Sequence, residues 1–100
     1  MGTLESPYWP AMYSGKTSCL WNITVAPSER INLYFVDLNT ENCHHSRVTV
    51  QDDKEVIGVY CRLQSPSVVH TAKNNLVVQF INEGTPGGRF RMNYNTGKIG

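Results

Sequence analysis

The sequence lacks long apolar runs and any excess of charge of one sign. Its longest uninterrupted apolar stretch, Leu33 to Val36, is four residues long, whereas a membrane-spanning helix needs about 20. Nine lysines and arginines are balanced by eight aspartates and glutamates, for a formal net charge of +1. A chain with so little net charge has no basic field to attract nucleic acid or an anionic membrane surface. We therefore expect neither nucleic-acid binding nor direct membrane insertion.

Cysteine is also scarce, and the three that are present cannot all pair within the chain. Cys43 and Cys61 lie at the ends of stretches with a strand pattern, so we predict a disulfide between them and an oxidising compartment. Closing a loop of this length stabilises the fold by about 3 kcal/mol. Cys19 is then unpaired. We expect its partner to precede residue 1, and a regulatory or intermolecular thiol is the alternative.

Stretches that favour helix are nearly absent, and alternation of apolar and polar residues with period two recurs instead. Each alternating set predicts a strand with one buried face. The sets are Trp21, Ile23 and Val25; Ile31, Leu33 and Phe35; Val48 and Val50; Leu76, Val78 and Phe80; Phe90, Met92 and Tyr94. Turn residues follow at 26–28, 38–42, 51–54, 65–67 and 84–88. The pattern predicts an all-β fold, an antiparallel sandwich or barrel, with a short strand and a loop before Cys19.

The size of the chain and the extent of this pattern set the expected domain boundaries. One hundred residues suffice for one domain. The alternation stops after Tyr94, so we expect a single domain over residues 1–94 and a tail or linker over residues 95–100. Met1 is not followed by an apolar export signal. We therefore expect an excised domain of a longer secreted protein, truncated at its N-terminus.

One short motif predicts a covalent modification. Asn22-Ile23-Thr24 matches the acceptor sequence for N-glycosylation. Asn22 lies between Trp21 and Ile23, so it faces water if those two side chains face the core. We expect glycosylation at Asn22 if the native protein is secreted.

No motif supports catalysis or a metal site. Gly15-Lys16-Thr17 resembles the end of a phosphate-binding loop, but Pro10 stands where the first glycine of that loop is needed. His44 and His45 are neighbours, and neighbours on an extended chain point in opposite directions, so they rarely bind one ion. There is also no nucleophile-elbow sequence. We predict that the chain is not an enzyme and that it has no cofactor.

Two arginines are candidates for partner binding. Arg89 and Arg91 flank the apolar Phe90, so they should share one face of the last strand. Together with Arg47 and Arg62 they would form a positive sheet face for a protein partner. The alternative is that these arginines are scattered and merely solvated.

The ordered series of motifs resembles a CUB domain over nearly the whole chain. Residues 2–10, followed by Tyr13, are similar to the family's Gly-x-x-x-Ser-Pro-x-x-Pro run and the tyrosine after it, and residues 19–23 match its Cys-x-Trp-x-Ile strand. Residues 31–35 match the next strand, and Cys43 and Cys61 fall at the third and fourth cysteines. Phe80 and residues 87–94 resemble the last two strands. The resemblance implies a compact, jelly-roll-like antiparallel β-sandwich.

The resemblance also implies a function. CUB domains are extracellular, non-catalytic modules that bind proteins and sometimes glycans, and they sit beside other domains of the same parent chain. The leading hypothesis is therefore an interaction module of a larger secreted or membrane protein. The alternatives are a glycan-binding domain like those of seminal fluid, and an accessory domain that selects substrates for a secreted protease. The family's first cysteine precedes the Ser-Pro run and pairs with the position of Cys19.

Many CUB domains hold calcium through three acidic residues, and the resemblance assigns those positions here. Asn39 stands at the first, with Glu41 close by as a substitute; Ser46 stands at the second and Glu83 at the third. At least one carboxylate is missing, and a site with fewer charges binds calcium more weakly. We predict that calcium either does not bind or binds with a dissociation constant of roughly millimolar magnitude.

Overall fold

Two antiparallel sheets of four strands each pack face to face in the computed structural model, which describes residues 2–52, 55–66, 68–84 and 87–98. The strands are β1 (Gly2–Glu5), β2 (Lys16–Thr24), β3 (Glu29–Thr40), β4 (Ser46–Asp52), β5 (Glu55–Tyr60), β6 (Val68–His70), β7 (Asn75–Glu83) and β8 (Gly88–Lys98). The first sheet has the order β1-β8-β3-β6 and the second has the order β2-β7-β4-β5. The predicted all-β antiparallel sandwich is confirmed. Parts of the predicted turns (53–54, 67 and 85–86) and residues 99–100 lie outside the described residues.

The core consists of the side chains that the period-two pattern assigned to the buried faces. Ile31, Leu33, Val48, Val50, Leu76, Val78, Phe80, Phe90 and Met92 are fully buried between the sheets. The ring of Phe90 lies 5.4 Å from that of Trp21, edge to face, and 5.2 Å from that of Phe80. Because β2 and β7 belong to the second sheet and β8 to the first, these rings join the two layers.

Strand β3 runs further than the sequence predicts. A turn was expected at 38–42, but β3 continues to Thr40. The register between β3 and β8 shifts between Phe35 and Asp37, which marks a β-bulge at Val36. The bulge moves the alternation by one residue, so that Leu38 faces inward and Val36 is exposed. Because the alternation shifts by one residue at the bulge, the period-two pattern did not predict where the strand ends.

Strand β8 also outlasts its predicted end. Residues 95–98, assigned to a tail, pair with residues 29–32 of β3, so the tail prediction is wrong for those four residues. The apolar pattern stops at Tyr94 because polar contacts hold this part of the sheet. The Asn32 Nδ2 atom donates a hydrogen bond of 3.0 Å to Oδ1 of Asn95, its partner in register.

The predicted disulfide joins Cys43 to Cys61, with a Cα–Cα distance of 5.2 Å. Cys43 follows β3 of the first sheet and Cys61 follows β5 of the second, so the bond ties the two sheets together at one end. Cys19 forms no disulfide and lies half-buried on β2, where its Sγ is 3.5 Å from Oγ1 of Thr17. Among the described residues, no helix is long and apolar enough to cross a membrane.

Candidate functional site

The connection between β1 and β2 folds back onto β8 and carries a cluster of aromatic side chains. We call residues 6–13 the aromatic loop. Its two ends are held by backbone pairs: Ser6 N donates to Phe90 O at 3.0 Å, and Tyr13 N donates to Gly88 O at 2.8 Å. A Cβ atom at Gly87 would lie 1.8 Å from Tyr13 O, so the close approach of the loop requires glycine there.

The tip of the aromatic loop presents Tyr8 to solvent. Its residue exposure is 83 %, and its backbone has a φ of 63°, in the left-handed region. A non-glycine residue in this region costs roughly 1–2 kcal/mol, and such residues concentrate at functional sites. The Tyr8 ring is stacked on the Tyr13 ring, with centroids 6.3 Å apart. The Tyr13 ring therefore supports one face of the exposed Tyr8 ring.

Trp9 lies beside Tyr8 and closes over the outer face of the first sheet. Its Nε1 donates a hydrogen bond of 3.0 Å to Oδ2 of Asp37. The same oxygen lies 2.9 Å from Nε of Arg89. Asp37 thus fixes the indole and neutralises Arg89 at the same time.

Arg91 keeps more of its binding capacity than Arg89. Its guanidinium carbon lies 4.7 Å from the centre of the Trp9 ring, in a cation–π contact. Its nearest carboxylate oxygen, Glu5 Oε2, is 3.9 Å from Nε, which is a long ion pair. The side chain is 37 % exposed. Arg91 is therefore a positioned cation that is only loosely paired.

The four arginines do not form one surface. Arg89 and Arg91 share the outer face of the first sheet, as alternation requires. Arg47 lies on β4 in the second sheet and therefore on the opposite side of the sandwich. Arg62 lies in the loop after β5, where its backbone pairs with Thr40 at the end of β3. Grouping all four arginines on one sheet face was wrong, because Arg47 lies on the other sheet and Arg62 lies in a loop.

Sequence reasoning missed a chain of polar side chains across the first sheet. His70 Nδ1 is 2.6 Å from Oδ1 of Asn32, and Asn32 Nδ2 donates to Oδ1 of Asn95. A carboxamide oxygen only accepts hydrogen bonds, so His70 Nδ1 is the donor. In the next row, Thr3 Oγ1 donates to Oδ1 of Asn93 at 3.0 Å. The period-two spacing of Asn93 and Asn95 was the available signal in the sequence.

The positions that the family resemblance assigned to calcium lie at one end of the sandwich. Glu83 N donates to His45 O at 2.6 Å, and Glu41 N donates to Gly87 O at 3.3 Å, which places the three loops together. Both glutamate side chains are exposed to solvent. Asn39 is opposite Arg89 in register, so a cation lies beside the first position.

These residues do not fit a calcium ion. Calcium takes six to eight oxygen ligands, usually with several carboxylates among them. The second position offers Ser46 Oγ, which is buried without a hydrogen-bond partner and would lie 2.3 Å from a Cβ at Gly88. Within the described ranges, no three Asp, Glu, His or Cys side chains converge on one point. Weak or absent calcium binding stays a prediction.

Asn22, the predicted glycosylation site, lies on the outer face of the second sheet. It is exposed, as the alternation predicted, on the edge strand β2. Its Oδ1 accepts a hydrogen bond of 2.8 Å from Asn75 Nδ2. Among the described residues, the amide nitrogen to which a glycan would be attached donates no hydrogen bond.

The fold defines a class of protein, an antiparallel β-sandwich of two four-stranded sheets with one disulfide at its end. The sequence model of the CUB domain matches residues 1–94. The chain belongs to the CUB domain family, which confirms the resemblance stated above.

Individual relatives agree with this assignment. Neuropilin-1a of Danio rerio is 32% identical over 106 residues, which cover 97% of this chain and 12% of that protein. Mannan-binding lectin serine protease 1 of Homo sapiens is 30% identical over 80 residues, 77% of this chain and 11% of that protein. The solved CUB1-EGF-CUB2 domain of human MASP-1/3 superposes with a TM-score of 0.90 at 24% identity, over 98% of this chain and 42% of that one. The chain thus spans only a small part of these sequence relatives.

Proposed function

We propose that this CUB domain is a non-catalytic, extracellular module of a larger secreted or membrane protein and that it binds a protein partner through the aromatic loop. The observation that carries the proposal is Tyr8, an exposed ring in a strained backbone conformation that is stacked in place. Preorganised aromatic side chains lose little entropy on binding and dominate interface energetics.

Arg91 and Arg89 form the rim of this surface. Arg91 supplies an accessible cation next to Trp9, whereas Arg89 is committed to Asp37. We therefore expect Arg91 to contribute more to partner binding than Arg89. A partner that places a carboxylate over Arg91 would displace the long contact with Glu5.

The extracellular location is supported by the disulfide and by the family. A disulfide between Cys43 and Cys61 persists in an oxidising compartment. The relatives are several times longer than this chain, and the MASP structure carries two CUB domains around an EGF domain, which supports a modular parent protein. We propose that Asn22 is glycosylated there. Mass spectrometry of protein secreted by animal cells should show a glycan that the Thr24→Ala variant lacks.

A second role follows from the similarity to a serine protease. Human mannan-binding lectin serine protease 1 contains a region similar to this chain, so the domain could select substrates or partners beside a protease domain. Such a role needs no chemistry from the CUB domain itself. This second role differs from the first only in that a protease domain lies in the same parent chain. The proposed binding surface is the same in both.

The test measures binding of a soluble, bivalent fusion of the domain to the surface of cultured animal cells. We expect binding that trypsin treatment of the cells abolishes, because the partner is a protein. Tyr8→Ala should weaken binding about tenfold or more, as expected for an interface hot spot. Leu63→Ser, which changes another highly exposed apolar residue, is the matched control and should bind normally. Trypsin-resistant binding, or a Tyr8→Ala variant that binds like the parent, would refute the proposal.

A further inference from the structure

The outer face of the first sheet contains a depression of about 510 Å³ beside the hydrogen-bonded side chains of Asn93 and Asn95. Its lining includes Thr3, Tyr34, Arg91, Asn93 and Asn95. This volume lies within the range of small-molecule sites, about 300–1,000 Å³. It crosses β1, β8 and β3, so its walls are held by strands and not by loops.

The hydrogen bonds around the depression determine which polar atoms point outward. Oδ1 of Asn93 accepts from Thr3, and Oδ1 of Asn95 accepts from Asn32. Each carboxamide has one accepting oxygen and one donating nitrogen. These hydrogen bonds turn both oxygens toward their neighbours in the sheet. The two Nδ2 groups remain as donors, with no acceptor among the described residues.

Arg91 adds a third group of donors and the positive charge. It precedes Asn93 and Asn95 at the same two-residue spacing, so the three side chains follow one another along β8 about 7 Å apart. Its ion pair with Glu5 is long, with 3.9 Å between Nε and Oε2. The terminal nitrogens have no acceptor among the described residues and can bind a carboxylate in the usual two-pronged geometry.

Tyr34 completes the depression with an aromatic surface. It pairs in register with Asn93, which itself pairs with Thr3, and its residue exposure is 38 %. An exposed ring beside amide donors suits the C–H face and the oxygen substituents of a sugar ring. An acidic peptide would need further cations for its further carboxylates, whereas uncharged amide donors match hydroxyl and acetamido oxygens.

From these contacts we propose that the depression binds a carboxylate-bearing sugar residue, such as a sialic or uronic acid at the end of a glycan. Arg91 holds the carboxylate, Tyr34 packs against the ring, and Asn93 and Asn95 donate to its neutral oxygens. The site lies away from Tyr8 but shares Arg91 with the surface proposed above. The Tyr8→Ala variant therefore separates failure of one proposal from failure of the other.

The experiment is a titration of the ¹⁵N-labelled, unglycosylated domain with defined saccharides, followed by the side-chain amide signals of Asn93 and Asn95. Sialyllactose tests the sialic acid, a glucuronate-containing disaccharide tests the uronic acid, and lactose is the neutral control. We expect saturable shifts with at least one acidic sugar and none with lactose. Equal responses to lactose, or stronger binding of a short poly-glutamate peptide, would overturn the assignment.

Two matched variants test the role of the amide donors. Asn95→Asp keeps the oxygen that accepts from Asn32 but replaces the outward donor by a negative charge, so the affinity should fall at least about tenfold. Asn22→Asp makes the same change on the other sheet and should bind like the parent. Tyr8→Ala should also leave sugar binding unchanged. If Asn95→Asp folds normally, as judged by its backbone amide spectrum, and still binds at parental affinity, the proposal is wrong.

Discussion

The outer faces of the two sheets differ in charge and in how their side chains are connected. On the first sheet, polar residues form cross-strand rows: His70, Asn32 and Asn95 in one, and Asp37, Arg91 and Glu5 in another. On the second sheet the three central rows are Ser18, Ile81 and Arg47; Leu20, Gln79, Thr49 and Val59; Asn22, Val77, Gln51 and Val56. Arg47 is the charged residue of those three rows, and a further row at the end of this sheet pairs Lys16 with Glu83.

The two outer faces therefore differ in what they offer to a ligand. Directed donors and charges on the first sheet are fixed by neighbours, so they can discriminate between ligands. The second face exposes Leu20 at 61 % and Val59 at 52 % without a comparable network of charges. A glycan at Asn22, which shares a row with Val77, would cover part of this face. We infer that the first face is the one that binds.

The largest expected effect concerns the covalent tie between the two sheets. Replacing both Cys43 and Cys61 by alanine should lower the free energy of unfolding by about 3 kcal/mol, because the unfolded chain loses its cross-link. Urea denaturation measures the loss. Cys19→Ala is the control, since it removes a cysteine without a disulfide. If the double variant had the same free energy of unfolding as this control, the disulfide would not stabilise the packing of the two sheets.

The next effect tests whether the polar rows stabilise the first sheet. Asp37→Ala removes the acceptor of Trp9 and the ion partner of Arg89, so it should cost about 1–3 kcal/mol in urea denaturation. Glu83→Ala, which removes an exposed carboxylate from the second sheet, should change stability by less than about 0.5 kcal/mol. Similar losses for the two variants would contradict the contrast between the faces.

A smaller effect on stability comes from Tyr60, and it depends on pH. Burial raises the pKa of the Tyr60 phenol above its ordinary value of 10.0. The folded protein then keeps the proton at a pH where the unfolded chain has released it. Stability from this group is complete below pH 10.0 and is lost as the pH rises through the higher folded value. Tyr60→Phe should lose less stability in alkaline urea denaturation than the parent, and an equal loss would contradict the shift.

Much of the fold could be predicted from the sequence, because apolar residues occur at every second position of each strand that has one buried face. Phe80, Phe90 and Ile31 occupy the core where the pattern placed them. The pattern failed where the backbone geometry changes without a change of composition, as at the bulge near Val36. It also failed at Asn95, where side-chain hydrogen bonds replace apolar burial.

The proposed binding surface was less predictable from the sequence for a related reason. Alternation correctly placed Arg89 and Arg91 on one face, because that relation is local along one strand. Which strands lie side by side is a property of the topology, and the sequence alone could not show that Asn32 and Asn95 are neighbours. The position of Tyr8 depends on a loop that needs Gly87 far along the chain.

A near-zero effect is expected on the second face. Leu20→Thr and Val59→Thr replace exposed side chains by one of high strand propensity, so each should change the free energy of unfolding by less than about 0.5 kcal/mol. Leu33→Thr, at a buried position, is the positive control and should cost several times more. A loss above about 1 kcal/mol at Leu20 would mean that this face packs against part of the structure.

The smallest expected effect is that of calcium on thermal stability. A bound calcium ion would link the two sheets. Asn39 comes from the first sheet, whereas Ser46 and Glu83 come from the second. An ion between them would couple the sheets and raise the midpoint of thermal unfolding by mass action. With Ser46 uncharged and both glutamates exposed, we expect the midpoint in about 1 mM calcium to equal that in the same concentration of magnesium. A millimolar site would raise the midpoint only slightly at this concentration. A large rise specific to calcium, or heat of binding at micromolar concentrations, would show that the site is intact.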